Sequence, residues 1–234
     1  MKLDNLSAVL AFSFLSVSAL NAAAVAVFDA GDVTYSFSSE GRLQSVREKA
    51  GGRELVTLDN PWVRVVTADG KTEYPTALRR DGDRLVFAFR GGEELVETVR
   101  PFDGGFSFTV EKCGFAEPRQ VVIAHLRPAV TNYMGDMANA ASDDESGICL
   151  RAGEYETEMS GHSRKLLTVS VPAGFSAVGK RAFIAAGPRA TLVGKLKNMV
   201  LATGLAHSKA GGPWSADPGV VHGSYMFADV TADN

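Results

Sequence analysis

Residues 33–56 read VTYSFSSEGRLQSVREKAGGRELV, and the spacing of their apolar side chains decides the fold class. Val33, Tyr35 and Phe37 alternate with Thr34, Ser36 and Ser38. A period of two puts the three large side chains on one face, the pattern of a strand with one side buried. Ser39-Glu40-Gly41 supplies a reversal, with Gly41 free to take a positive φ. In the return strand Leu43 and Val46 break strict alternation, which predicts a β-bulge or a short pairing. Gly51-Gly52 then turns the chain again before Leu55-Val56.

The same grammar extends outward to about Pro188. Val25 to Phe28 reads as a strand before this hairpin, and Trp62 to Ala68 as one after it. Asp69-Gly70 is a strong hairpin turn. Thr76 to Arg80 and Arg84 to Arg90 form another hairpin, with Leu85, Phe87 and Phe89 on its core face. Glu94 to Phe102 and Phe106 to Cys113 follow, the second with Phe106, Phe108 and Val110 inward. Val121 to Leu126, VVIAHL, is almost continuously apolar, as a central strand buried on both faces would be. From Pro128 to Lys165 the pattern loosens into a Gly-, Ser- and acid-rich stretch. Leu166 to Val171 and Arg181 to Ala186 read as closing strands. Turn signals at near-regular spacing predict an all-β fold, an antiparallel β-sandwich over residues 25–188.

At Pro188 the period changes. Leu192, Val193, Leu196, Met199 and Val200 recur at helical spacing, with Pro188 placed to start a helix and Gly204 to stop it. A Gly/Pro-rich segment follows, then the strand-like SYMFA of residues 224–228. Residues 189–234 are thus expected to be a linking helix and a fragment of a following domain.

The 234-residue chain is 45% hydrophobic with a net charge of -3, enough apolar content for one sizeable core. That mildly acidic balance, without a Lys/Arg cluster, argues against a nucleic-acid partner. Lys2 is followed by the apolar run Leu6 to Leu20 and the small residues Ala22-Ala23-Ala24. This predicts a signal peptide over residues 1–24, a secreted or periplasmic protein, and no membrane span after cleavage. Cys113 and Cys149 either pair after export or remain two buried thiols.

His125 lies inside the most apolar strand and reads as a satisfied core histidine. Its sharper alternative, a sugar-ring acid/base, needs a carboxylate within reach. His162, between Gly161 and Ser163, reads as a loop residue. Asp136 and Asp143-Asp144-Glu145 form either a solvated loop or an oxygen-rich Ca²⁺ site, without EF-hand spacing. Trp62 opens an alternating strand and belongs to the core. Trp214 sits in a Gly/Pro-rich loop, where it either stacks on a sugar ring or wedges between two domains. Asp229 follows a short strand, either as a site residue at a barrel strand's end or as a helix N-cap. No paired-carboxylate, Ser/His/Asp, P-loop, GxGxxG or zinc-spacing motif is present.

The hairpin EGRLQSVREKAGGREL resembles a "DGRL-S-I-DK-TGREL" pattern found in the N-terminal sandwich domains of secreted bacterial glycoside hydrolases. Those domains often have the galactose-mutarotase-like supersandwich fold. Residues 185–234 look like the junction where such a sandwich hands over to a TIM-barrel catalytic domain. In that resemblance Arg189 to Ala202 is the linking helix, His207 and Trp214 lie in the crossover, and Ser224 to Asp229 is the first barrel strand. The resemblance implies carbohydrate as the ligand and His207, Trp214 and Asp229 as substrate-facing residues. It also implies a TIM-barrel domain as partner. The two catalytic carboxylates of such enzymes would come from later barrel strands. The chain is accordingly expected to be a non-catalytic accessory domain, with no catalytic residue, metal or cofactor of its own. A free-standing carbohydrate-binding module and a structural surface sandwich are the alternatives. A true mutarotase would need a His/Glu pair, and His125 has no identified partner.

Overall fold

The computed structural model describes residues 24–57, 60–135, 139–161 and 164–204. Three antiparallel sheets account for most of them. The first places β1 (Ala24–Ala30), β2 (Val33–Ser38) and β3 (Leu43–Glu48) side by side. The second runs β14 (Glu158–Ser160), β15 (Leu167–Pro172), β10 (Gln120–Leu126), β4 (Arg64–Val66), β5 (Thr72–Glu73). The third runs β11 (Tyr133–Gly135), β12 (Ala140–Ser142), β13 (Ser146–Ala152), β16 (Arg181–Pro188), β9 (Gly105–Cys113), β8 (Glu94–Phe102), β7 (Arg84–Ala88), β6 (Ala77–Asp81). A single described helix, α1 (Arg189–Thr203), follows β16 directly.

The opening hairpin forms as its pattern predicts. Val33, Tyr35 and Phe37 are buried, and so are Leu43 and Val46 of the return strand. Ser36 pairs with Ser45 but Phe37 with Leu43, so Gln44 is an extra residue in β3. That bulge is what lets two side chains three positions apart face the same core. Gly41 takes φ 76° at the turn, and a Cβ there would come within 2.9 Å of the Phe87 ring, so both conformation and space demand glycine.

The hairpin's aromatic face packs on the eight-stranded sheet. Phe28 and Tyr35 each place a ring 5.6 Å from Phe106, and Phe37 lies 6.1 Å from Phe108. Trp62 closes the cluster, 5.5 Å from Phe37 and 4.7 Å from Phe108. These are the tilted and edge-on geometries that aromatic quadrupoles favour, on top of the large apolar area each ring buries. Trp62 belongs to the core as expected, although it precedes β4 rather than opening it. Strand β10 is buried almost throughout and is the middle strand of its sheet, as its unbroken apolar run predicts.

The stretch from Pro128 to Lys165, where the alternation loosens, holds β11, β12, β13 and β14, and β13 is an interior strand paired with β16 over its whole length. Its sequence SGICLRA does not alternate because both of its faces are covered. Helix α1 lies over the outer face, with Leu192 against Gly147, and with Met199 in one apolar cluster with Cys149, Phe183 and Ala185.

Of the two alternatives for the cysteines, the structure takes the second: both are thiols, Cys149 buried and Cys113 half-buried. Cys149 is aligned with Ala185, and Ala185 with Gly105, whereas Cys113 ends the same strand as Gly105. At about 3.3 Å per strand residue the two cysteines are more than about 20 Å apart, far beyond disulfide reach.

Helix α1 begins after Pro188 and ends on Gly204 in the left-handed region at φ 71°, as the sequence signals predict. No acid in its first turn or base in its last favours it. Its stability therefore comes from docking. Lys195 is the central pin: its Nζ donates to the Ala186 carbonyl at 2.7 Å and pairs with Asp32. The helix runs back along β16, and Arg181, at the start of that strand, donates to the Thr203 carbonyl at 2.7 Å. A 15-residue helix at 1.5 Å per residue, about 22 Å, nearly matches the eight-residue strand. No described helix is long and apolar enough to cross a membrane.

Candidate functional site

Two connections meet at the end of the sandwich to which α1 returns the chain. Residues 114–119 join β9 to β10, and residues 173–180 join β15 to β16. Between them lies a groove of about 590 Å³. Phe115, Glu117 and Arg119 line it from the first connection, Phe175 and Val178 from the second.

Both connections are held in place. Gly179 N–H donates to the Val110 carbonyl at 2.8 Å, Lys180 N–H to Ala177 at 3.1 Å, and Val178 N–H to the Ser176 hydroxyl at 3.2 Å. Ala177 is buried in the main core, so the loop is anchored at its middle. Lys180 pairs with Glu156, and Arg181 N–H donates to Glu154 at 2.7 Å, which ties in the connection between β13 and β14. On the other wall the Phe115 ring stands edge-on to Phe89 at 4.8 Å. Arg119 Nε donates to the Ala68 carbonyl at 2.9 Å, fixing the guanidinium against the β4–β5 turn. Glu117 has φ 45°, a left-handed conformation that costs a residue with a side chain. Against this fixed frame Phe175 remains 49% exposed.

The three residues singled out as substrate-facing, His207, Trp214 and Asp229, lie outside the described residues, as do Asp136 and His162. His125 is buried on β10, with Nδ1 3.1 Å from the Thr168 hydroxyl. It is a core histidine, and no sugar could reach it without opening the sheet. Asp143-Asp144-Glu145 is the turn between β12 and β13, solvent-facing as one of the two expectations had it, with the Asp144 and Glu145 side chains exposed and Asp143 half-buried. Arg53 pairs with both Asp143 and Glu145, and Arg189 Nη1 lies 3.3 Å from Asp144. Partial burial raises the Asp143 pKa, but the Ser146 and Glu145 N–H groups and Arg53 outweigh it and leave the carboxyl below its usual range. Among the described residues no group of three or more potential ligands could hold a metal.

One group escaped the sequence reading. Glu97 is fully buried on β8, aligned with Leu85 on one side and Val110 on the other. Burial pushes its carboxyl up to about 8, against a smaller opposing effect from the Trp62 indole N–H, which donates to Oε2 at 2.8 Å. Among the described residues Oε1 has no hydrogen-bond partner. A raised carboxyl in a cleft would suggest a general acid, but Glu97 is fully buried beside the Trp62 indole, closed off from solvent. The signal available in the sequence was its place in the alternation Leu95, Glu97, Val99, where a charged residue takes an inward position.

No protein-family model matches the chain, and no curated protein is similar to it.

Proposed function

We propose that the chain is the non-catalytic N-terminal sandwich of a secreted carbohydrate-active enzyme of the glycoside hydrolase kind. Helix α1 links it to a TIM-barrel domain that bears the catalytic carboxylates. The observation that carries this reading is a helix with apolar residues on two sides. Leu192 and Met199 are spent on the sheet, while Val193, 72% exposed, and Leu201, 48% exposed, are not. A helix that served only its own sheet would carry polar residues there. Docking against a second domain would bury them.

The test is to read and express the coding sequence beyond Asn234. A barrel with two carboxylates at strand ends, active on aryl glycosides only when present, is the expected result. A stop codon at that point would overturn the reading.

One observation favours a second reading, that of a free-standing carbohydrate-binding module: the groove with its half-exposed phenylalanine. Both readings take a carbohydrate as ligand. They differ in whether a catalytic domain follows.

A further inference from the structure

The geometry points to the groove between residues 114–119 and 173–180 as a binding site for a neutral saccharide, with Phe175 as the stacking platform. This rests on the carbohydrate reading above and gives it a place on the molecule.

A half-exposed phenylalanine on an anchored loop keeps apolar area in water. The C–H face of a pyranose removes that area while its hydroxyls remain free to hydrogen-bond. The polar groups at the groove match this ligand. Arg119 offers a fork of N–H donors and Glu117 two acceptor oxygens. A hydroxyl both donates and accepts, so neighbouring ring hydroxyls can engage the two together. The opposite charges cancel, which removes any preference for an anionic or cationic ligand. The volume, about 590 Å³, lies within the range of small-ligand sites.

The frame is also preorganised. The Phe175 loop is fixed by Ala177 in the core and by the Gly179–Val110 bond, and Arg119 by Ala68. A site that is ordered beforehand loses little freedom on binding. Helix α1 brings the chain back beside this end through the bond from Arg181 to Thr203. A domain following α1 would therefore emerge close to a sugar held in the groove.

The test uses the whole exported chain on an array of neutral and acidic glycans, followed by calorimetric titration of the strongest binder. Retention of neutral glycans is expected. Phe175→Ala should weaken binding by about tenfold or more, the equivalent of one lost stacking contact. Phe175→Trp should preserve binding or tighten it. Glu117→Gln and Arg119→Met should each weaken it, and Tyr74→Ala, at an exposed ring outside the groove lining, should leave it unchanged. Thermal melts of each variant establish that it is folded. Unchanged binding in folded Phe175→Ala, or selective retention of acidic glycans, would overturn the site while leaving a sugar ligand elsewhere. No retained glycan would overturn the site as well. The accessory-domain reading is decided separately, by the coding sequence beyond Asn234.

Discussion

Replacing Glu97 with glutamine removes one ionisable group from the centre of the sandwich and changes little else. In the wild-type chain the carboxyl holds its proton up to about pH 8, whereas in the unfolded chain it ionises near 4.5. Between those values the native state binds more protons than the unfolded state, so stability falls as pH rises. The contribution is fully present below pH 4.5 and is lost as pH passes through about 8. At about 1.4 kcal/mol per pH unit the loss is on the order of 5 kcal/mol. For a domain of this size that corresponds to a drop of ~10–20 °C in Tm. Glu97→Gln keeps an oxygen for the Trp62 indole and cannot ionise. Melts of both proteins between about pH 5 and pH 9, followed by tryptophan fluorescence, isolate the effect. Histidines and surface carboxylates titrate in both, so they cancel in the difference. The wild type should lose stability relative to the variant as pH rises. Parallel profiles would refute the reasoning, because they would mean that Glu97 reaches water or a cation.

Met199→Ala should destabilise the fold by about 2–5 kcal/mol, the usual range for a buried methionine, and urea titration would measure it. A loss under about 0.5 kcal/mol would show that α1 does not cover the sheet. Gly105→Ala should fail to fold or lose several kcal/mol, since a Cβ there would lie 2.0 Å from the Ile184 carbonyl oxygen, within the β9–β16 pairing. Circular dichroism of the soluble fraction reports the outcome. Burial raises both thiols, Cys149 up to about 12 and Cys113 less far, so thiol titration at neutral pH should find Cys113 slow and Cys149 unreactive until unfolding. Reducing agent should leave Tm unchanged. N-terminal sequencing of exported protein should find a mature start near Val25.

Much of the fold was legible wherever one face of a strand is wet. Val33-Tyr35-Phe37 and Phe106-Phe108-Val110 alternate because water selects polar residues on the opposite side. The bulge at Gln44 was legible for the same reason, as a broken alternation. Strand β13 was not, since Cys149 and Met199 meet across a helix distant in sequence. The ion pairs that tie the acidic turn to Arg53 were not legible, because Arg53 lies some ninety positions away, as the separations in its bonds to Asp143 and Glu145 record. The groove was invisible too. Phe115, Glu117, Arg119 and Phe175 have no shared period or spacing, and only the antiparallel order of β9, β10, β15 and β16 brings their loops to one end.

By itself, then, the order of residues determined the local elements: strands from a period of two, turns from glycine, and a helix between Pro188 and Gly204. These depend on interactions within a few positions along the chain, which composition and spacing encode directly. The tertiary structure decided what each element faces. It made Glu97 a protonated core residue, kept the two thiols apart and laid α1 over β13. Burial, ion pairing and pKa depend on neighbours supplied by distant segments, and no local pattern records which segments those are.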